Sequence, residues 1–350
     1  MKRVVLIALL FAAATPAFAA RAKIPTISNE PYTSAIVVDA ATGKVLFEKN
    51  ADAKIYPASV IKLMDFLLIL EWIDAGKAKL TDWVRVTPEA ARMGGSQVYL
   101  AEGETFSLDD MLYALSIKSA NDVAVALAIH FAGTPDGFVK LMNKRAAELG
   151  MTSTKFTSVH GLPPDVGREP DVSTARDIAT LSLEVLKHQD ALRYTSEKLR
   201  YLREGEKKFE MRTHNRLLND FPGCDGLKTG YFRAAGFSIS ATATRDGRRV
   251  VAVVMGSTYR PTRDTKAKEL LSQGFLNLPE LPPPPPPEPE VVEEPEPEEK
   301  AGGFMAGLKR ISVFIGKCLL GLVLAAVVIA AIGIISYRYR QKRDGWKYDI

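Results

Sequence analysis

The sequence predicts an α+β domain whose helices pack on an antiparallel sheet formed by both ends of the chain. Two observations carry this prediction. Alternating apolar residues form one strand pair at 34–47 and another at 237–255. Apolar stretches of helical length lie between them. Residues 20–279 are therefore expected to form one domain, which shows no internal repeat.

The two strand pairs are predicted from their turns as much as from their apolar residues. The first pair alternates on both sides of Thr42-Gly43, a dipeptide that suits a tight turn. The second pair flanks Asp246-Gly247, which is one of the strongest hairpin signals in a sequence. Each pair is expected to be a hairpin.

The helices are predicted from longer apolar patterns. Residues 63–73 are apolar nearly all round but too few to cross a membrane, so they should form a buried helix. A second helical stretch, 108–131, should be interrupted at 118–121. Further helices are predicted at 138–149 and 174–186.

Composition excludes several classes of protein. Two cysteines in 350 residues rule out a disulfide scaffold and a multi-cysteine zinc module, and the four histidines form no close pair. A formal net charge of +5 is too small to indicate a nucleic-acid partner. No metal or cofactor is expected. Cys224 is expected to be a small buried apolar residue, with any further role left open.

The first nineteen residues are typical of a secretory signal peptide. Lys2 and Arg3 precede an apolar run, 4–14, and Ala17-Phe18-Ala19 is a small-x-small cleavage site. The run is too short to span ~30 Å of hydrocarbon. Residues 1–19 are therefore expected to direct export and be removed.

The sequence of residues 280–350 predicts a tether to the membrane. Residues 280–303 are rich in proline and glutamate and are expected to form an extended linker. Within an anchor region, 304–337, residues 318–337 are expected to form a single transmembrane helix. More basic residues follow this helix, in the tail 338–350, than precede it, so the tail should be cytoplasmic. The domain would then face the periplasm from the inner membrane.

Three short motifs carry the candidate chemistry. They are Ser59-x-x-Lys62, Ser119-Ala120-Asn121 and Lys228-Thr229-Gly230. Each motif alone is weak, but their order within an exported domain is specific.

The residue types explain what such motifs can do. Ser59 opens an apolar helix, and Lys62, three residues on, returns to the same face within reach of the Ser59 hydroxyl. A lysine whose pKa is lowered by burial and nearby cations can take the proton of a serine nucleophile.

The other two motifs are expected to assist. Ser119 can relay a proton, and Asn121 can hold a substrate amide. Lys228 and Thr229 can grip a terminal carboxylate, and Gly230 can let a substrate backbone approach closely.

With these motifs, the sequence resembles the D-alanyl-D-alanine carboxypeptidases, low-molecular-mass penicillin-binding proteins of serine peptidase family S11. The resemblance extends from about residue 30 to 275. Beyond the three motifs it includes Tyr56-Pro57-Ala58, Gly95-Ser96, Asp122, His160-Gly161-Leu162, Thr174-Ala175-Arg176-Asp177, Asn215-Arg216-Leu217-Leu218, Asp225-Gly226-Leu227 and Tyr231.

The resemblance implies a β-lactamase/transpeptidase-like (penicilloyl-serine transferase) fold, with a five-stranded antiparallel sheet and a helical cluster. It implies that Ser59 attacks the D-Ala-D-Ala bond of peptidoglycan stem peptides with Lys62 as general base, and that β-lactams inhibit the enzyme. The backbone N–H groups of Ser59 and Tyr231 would form the oxyanion hole. Water would then hydrolyse the acyl-enzyme on Ser59 and release the shortened stem.

Two other classes remain open from sequence alone. A D,D-endopeptidase that cleaves peptidoglycan cross-links would share every motif. A penicillin-binding sensor or wall-binding tether would bind without turnover and, as a tether, would tolerate loss of Lys62.

Overall fold

The computed structural model describes residues 21–280. The predicted signal peptide, the predicted anchor and tail, and all but the first residue of the predicted linker lie outside the described residues. The described chain has five strands in one antiparallel sheet, in the order β2-β1-β9-β8-β7, and two small two-stranded sheets. The strands are β1 Ser34–Asp39, β2 Val45–Lys49, β3 Trp83–Arg85, β4 Thr105–Ser107, β5 Leu199–Leu202, β6 Phe209–Arg212, β7 Cys224–Phe232, β8 Gly236–Arg245 and β9 Arg248–Ser257.

The prediction that both chain ends contribute to one sheet is confirmed. The N-terminal hairpin joins the C-terminal strands because β1 pairs with β9 from Ser34–Met255 to Asp39–Val250. Both predicted hairpins are present, β1–β2 and β8–β9.

The sheet is buried on both faces, as the alternation in β1 illustrates. Ile36 and Val38 contact the large helical core, whereas Ala35 and Val37 contact the core beneath the C-terminal helix. Successive side chains on a strand point to opposite faces, so one short strand serves two cores.

The helices surround the sheet on these two sides. They are α1 Lys62–Asp74, α2 Pro88–Ala91, α3 Leu108–Tyr113, α4 Asn121–Ala132, α5 Pro135–Glu148, α6 Ala175–Val185, α7 Ala191–Thr195, α8 Leu217–Asp220 and α9 Arg260–Leu276. All predicted helices are confirmed. The helix predicted at 138–149, α5, begins three residues early because Thr134 caps it by accepting a hydrogen bond from Gly137 N (2.9 Å) and Pro135 suits its first turn.

The predicted interruption of the second helical stretch is also present. A π-helical turn, Ala114–Lys118, follows α3, and Ser119 adopts a left-handed conformation (φ 57°) before α4 starts at Asn121. This break turns Ser119 and Asn121 towards the region where α1 begins.

Helix α9 was not predicted from the sequence, although its pattern contains a signal. Its buried apolar residues recur at three- and four-residue spacing: Ala267, Leu270, Leu271 and Gly274. Polar residues between them mask this stripe. A Cβ at Gly274 would lie 2.7 Å from Val37 Cγ1, so this glycine allows α9 to pack closely on β1.

Between residues 21 and 280, no helix combines the length and apolar character needed to cross a bilayer.

Candidate active site

Ser59 lies on a 3₁₀ turn, Ala58–Ile61, that leads directly into α1. This turn is tightly enclosed. Gly161 has φ +72°, and a Cβ at that position would lie 2.2 Å from Ala58 O. The loop containing Gly161 therefore presses on the turn and needs glycine there. Ser59 itself stays half-buried, with its hydroxyl at the edge of a cleft.

Lys62 joins three parts of the chain through its amine. Its Nζ lies 3.1 Å from Ser59 Oγ, 2.8 Å from Asn121 Oδ1 and 2.8 Å from His160 O. All three partners are neutral oxygens, and Lys62 is only 1% exposed. The structure thus brings together the serine and lysine of the first motif, as the helical spacing predicts.

The surroundings of Lys62 weaken its hold on a proton. Burial lowers the pKa of Lys62 to about 7, although the carboxyl groups of Asp65, Asp171 and Asp122 act to raise it. Burial, together with the charge of Lys62, also lowers the pKa of His160 to about 3, so the His160 ring is neutral. Near neutral pH, a large fraction of Lys62 is a free amine.

Ser119 contributes an uncommitted hydroxyl to the cleft. It is 3% exposed, and its Oγ has no hydrogen-bond partner among the described residues. A buried hydroxyl without a partner is costly, and its left-handed backbone adds strain. This geometry fits a group whose partner arrives with the substrate.

Asn121 makes two hydrogen bonds through its side-chain amide. Its Oδ1 accepts a hydrogen bond from Lys62, its Nδ2 donates to Gly94 O (2.8 Å), and the residue is 1% exposed. A Cβ at Gly95 would lie 2.7 Å from this Nδ2. In this structure both polar atoms of the Asn121 amide are engaged within the protein, and its Oδ1 orients the Lys62 amine.

The third motif lies on β7, at the edge of the five-stranded sheet. Thr229, Gly230 and Tyr231 line the cleft opposite Ser119 and Ser96. Lys228 lies behind this surface, 4% exposed, and its Nζ donates to Thr229 O (3.0 Å).

Gly230 explains how β7 approaches the serine. A Cβ there would lie 2.6 Å from Pro57 O and 3.1 Å from Ser59 N. Gly230 therefore lets β7 approach the turn that carries Ser59, and it also lines the cleft. Ser59 and Tyr231, the residue after Gly230, line the same cleft.

The cleft has a volume of about 260 Å³, and two arginines and a histidine contribute to its wall. Arg260 and Arg263 line it from the first turn of α9, and His214 lines it from the loop before α8. These three residues were not predicted as site residues from the sequence. Arg260 and Arg263 are spaced i and i+3, a signal visible in the sequence only once α9 is recognised.

Two further observations limit the chemistry. Burial raises the pKa of the Cys224 thiol to about 11, so this cysteine is a poor nucleophile. Within residues 21–280, no three His, Cys, Asp or Glu side chains gather as a metal site would require.

Comparison with known proteins identifies the family. Residues 20–258 match the family model described as D-alanyl-D-alanine carboxypeptidase, Peptidase S11. The chain is 40% identical over 243 residues to D-alanyl-D-alanine carboxypeptidase DacF of Bacillus subtilis, covering 69% of this chain and 61% of DacF. It is 36% identical over 282 residues to DacC of Escherichia coli, covering 77% of this chain and 67% of DacC.

Solved structures share the fold. Penicillin-binding protein 6B of Escherichia coli matches with a TM-score of 0.65 and 33% identity, over 73% of this chain and 80% of its own. The ampicillin-bound form of penicillin-binding protein D2 from Listeria monocytogenes matches with a TM-score of 0.62 and 32% identity, over 70% of this chain and 98% of its own. The chain therefore belongs to the D-alanyl-D-alanine carboxypeptidase family, serine peptidase family S11.

Proposed function

We propose that this protein is a serine-type D-Ala-D-Ala carboxypeptidase that removes the terminal D-alanine from peptidoglycan pentapeptide stems. Family membership supports the reaction class. Because the chain spans only about three fifths of DacF, the activity of the whole protein is a proposal.

The observation that carries the proposal is the set of contacts around Lys62 Nζ. A neutral amine has two hydrogens and one lone pair. Asn121 Oδ1 and His160 O, each 2.8 Å away, can accept the two hydrogens. The lone pair then faces Ser59 Oγ at 3.1 Å, within reach of the hydroxyl proton. This arrangement activates the serine without a histidine.

Acylation would proceed from this arrangement. Ser59 Oγ bonds to the carbonyl carbon of the penultimate D-alanine while its proton passes to Lys62 Nζ. The C–N bond then breaks, and the leaving nitrogen takes a proton from Lys62, relayed by the unpaired Ser119 hydroxyl. Water hydrolyses the resulting ester, with Lys62 again accepting a proton. The backbone N–H groups of Ser59 and Tyr231 would stabilise the oxyanion.

The basic residues of the cleft would bind the C-terminal carboxylate of the substrate. Arg260, Arg263 and Thr229 line the cleft, and Lys228 lies directly behind Thr229. Arg263 is paired with Asp264, so the exposed Arg260, in a lining without acidic side chains, is the cation that favours a carboxylate-terminated peptide. A β-lactam carries a comparable carboxylate and would acylate Ser59, which is consistent with the ampicillin-bound relative.

We also propose that the enzyme is exported and tethered to the inner membrane with its catalytic domain in the periplasm. The support is the sequence alone: the charged and apolar segment 1–19, the Pro/Glu-rich linker 280–303 and the uncharged apolar run 318–335. Fractionation of cells that express the full chain tests this, since alkaline washing should leave it in the membrane pellet.

The activity is tested with diacetyl-Lys-D-Ala-D-Ala. The protein should release D-alanine, and Ser59→Ala should abolish release because it removes the hydroxyl that forms the acyl-enzyme. Ser153→Ala is a control in a residue outside the cleft and should retain activity. No release by the wild-type protein at high concentration would refute the proposal, and mass spectrometry of digested muropeptides would separate trimmed stems from opened cross-links.

A further inference from the structure

A buried carboxylate lies one helical turn beyond Lys62. Asp65 is 1% exposed, and neither of its oxygens has a hydrogen-bond partner among the described residues. It follows Lys62 by three positions on α1, so the two side chains share a face of the helix. A buried carboxylate without donors is costly, and such a group calls for a functional explanation.

Asp65 differs from the other two carboxylates near Lys62. Asp122 accepts hydrogen bonds from Val98 N and Leu100 N, each 3.1 Å away. Asp171 has four donor groups, Thr157 N, Thr157 Oγ1, Ser158 N and Ser158 Oγ. These two carboxylates have their own donors, whereas Asp65 has none among the described residues.

The charged groups around the pair are few. Lys62 faces Asp65 on its own helix, Asp122 on α4, and Asp171 in the loop before α6. It also interacts with Lys228 on β7, and the neutral His160 ring lies beside it. Asp65 interacts with Lys62 and Asp171. Burial raises the pKa of Asp65 well above its ordinary value, and Lys62 opposes that rise.

We propose that Asp65 is a positioning residue for catalysis, a buried counter-charge that raises the proton affinity of Lys62 so that the amine can accept the Ser59 proton in a cationic cleft. This inference rests on the proposed function, because it assigns Asp65 to the same proton transfer. Asp65 does not touch the substrate and acts only through Lys62.

The pair should titrate as a unit. A negative charge on Asp65 lets Lys62 keep its proton to higher pH, so the free amine appears later as pH rises. Acylation needs the free amine, so the acylation rate rises with pH as Lys62 loses its proton. The midpoint of this rise, the acidic limb of the pH–rate profile, lies at higher pH with Asp65 than without it. Asp65→Asn keeps the size of the side chain and removes the charge. It should move this limb to lower pH by about one unit or more.

The test measures the second-order rate of Ser59 acylation by a fluorescent penicillin, in the full-length chain, from pH 5 to pH 9. Asp177→Asn is the matched control, because Asp177 is also buried but accepts its hydrogen bonds from Ser153 N and Thr154 Oγ1. Asp177→Asn should lower the melting temperature and leave the pH midpoint of the acidic limb unchanged. If the midpoint in Asp65→Asn is unchanged or lies at higher pH than in the wild-type protein, the inference is wrong.

The outcomes separate this inference from the proposed function. A wild-type protein that is not acylated refutes the function, whereas an acylated protein with superimposable wild-type and Asp65→Asn profiles refutes only the role of Asp65. If Asp65→Asn does not fold, carbon NMR of the wild-type protein decides. The Asp65 carboxyl carbon should shift over the same pH range as the Lys62 side chain, and independent titration overturns the inference.

Discussion

The two walls of the cleft each bury a lysine, but they surround it differently. On the helical wall, Lys62 makes three hydrogen bonds to neutral oxygens, and the carboxyl groups of three aspartates act on it. On the sheet wall, Lys228 has one hydrogen bond, to Thr229 O, and its charged neighbours are Lys62 and Arg263. Carboxyl groups therefore oppose the positive charge of the Lys62 neighbourhood, whereas the charged groups that act on Lys228 are cations.

This difference separates two tasks. Burial lowers the pKa of both lysines, but the carboxyl groups near Lys62 limit the fall to about 7, where an amine can exchange a proton at neutral pH. Burial, Lys62 and Arg263 all lower the pKa of Lys228, which lies well below its ordinary value. A substrate carboxylate would supply the missing negative charge. The helical wall is therefore suited to proton transfer and the sheet wall to binding an anion.

The largest expected effect is the loss of the Lys62 amine. Lys62→Met keeps much of the apolar side chain and removes the base, so the rate of Ser59 acylation should fall by about 10³-fold. Stopped-flow measurement with a fluorescent penicillin gives this rate. Lys77→Met, at an exposed lysine beyond the end of α1, is the control and should leave the rate unchanged. An equal rate in Lys62→Met would show that another group activates Ser59.

A smaller effect is expected on the sheet wall. Lys228→Met removes a donor for the substrate carboxylate, so kcat/KM for diacetyl-Lys-D-Ala-D-Ala should fall by roughly 10- to 100-fold. The same peptide with a C-terminal amide provides the comparison. The wild-type protein should prefer the acid strongly, and the variant should lose most of that preference. If both proteins discriminate equally, Lys228 does not serve carboxylate recognition.

The fold was predictable where local pattern and tertiary packing agree. The two hairpins, helix α1 and the helices from α3 to α6 have apolar periods or turn residues that mark them. Strand β7 was not predicted, because its glycines and charged residues resemble a turn. Its strand geometry comes from pairing with β8, which a local pattern does not reveal.

The sequence predicted which residues form the site better than it predicted the contacts that these residues make. The spacing of Ser59 and Lys62 on one helix places them together, because a single turn fixes their distance. The roles of Asn121 and Gly230 depend on packing between distant segments. Asn121 contacts Lys62 because α4 begins beside α1, and Gly230 contacts the Ser59 turn because β7 crosses it. The His160 carbonyl was missed because a backbone atom leaves no mark on residue type.

The central claim is that Lys62 is a free amine near neutral pH, and NMR titration of side-chain-labelled lysines tests it directly. Comparison with Lys62→Met assigns the Lys62 resonance. We expect a midpoint near pH 7 for this resonance, well below the ordinary lysine value of 10.5. A Lys62 side chain that stays fully protonated up to pH 9 would show that it is not a free amine near neutral pH.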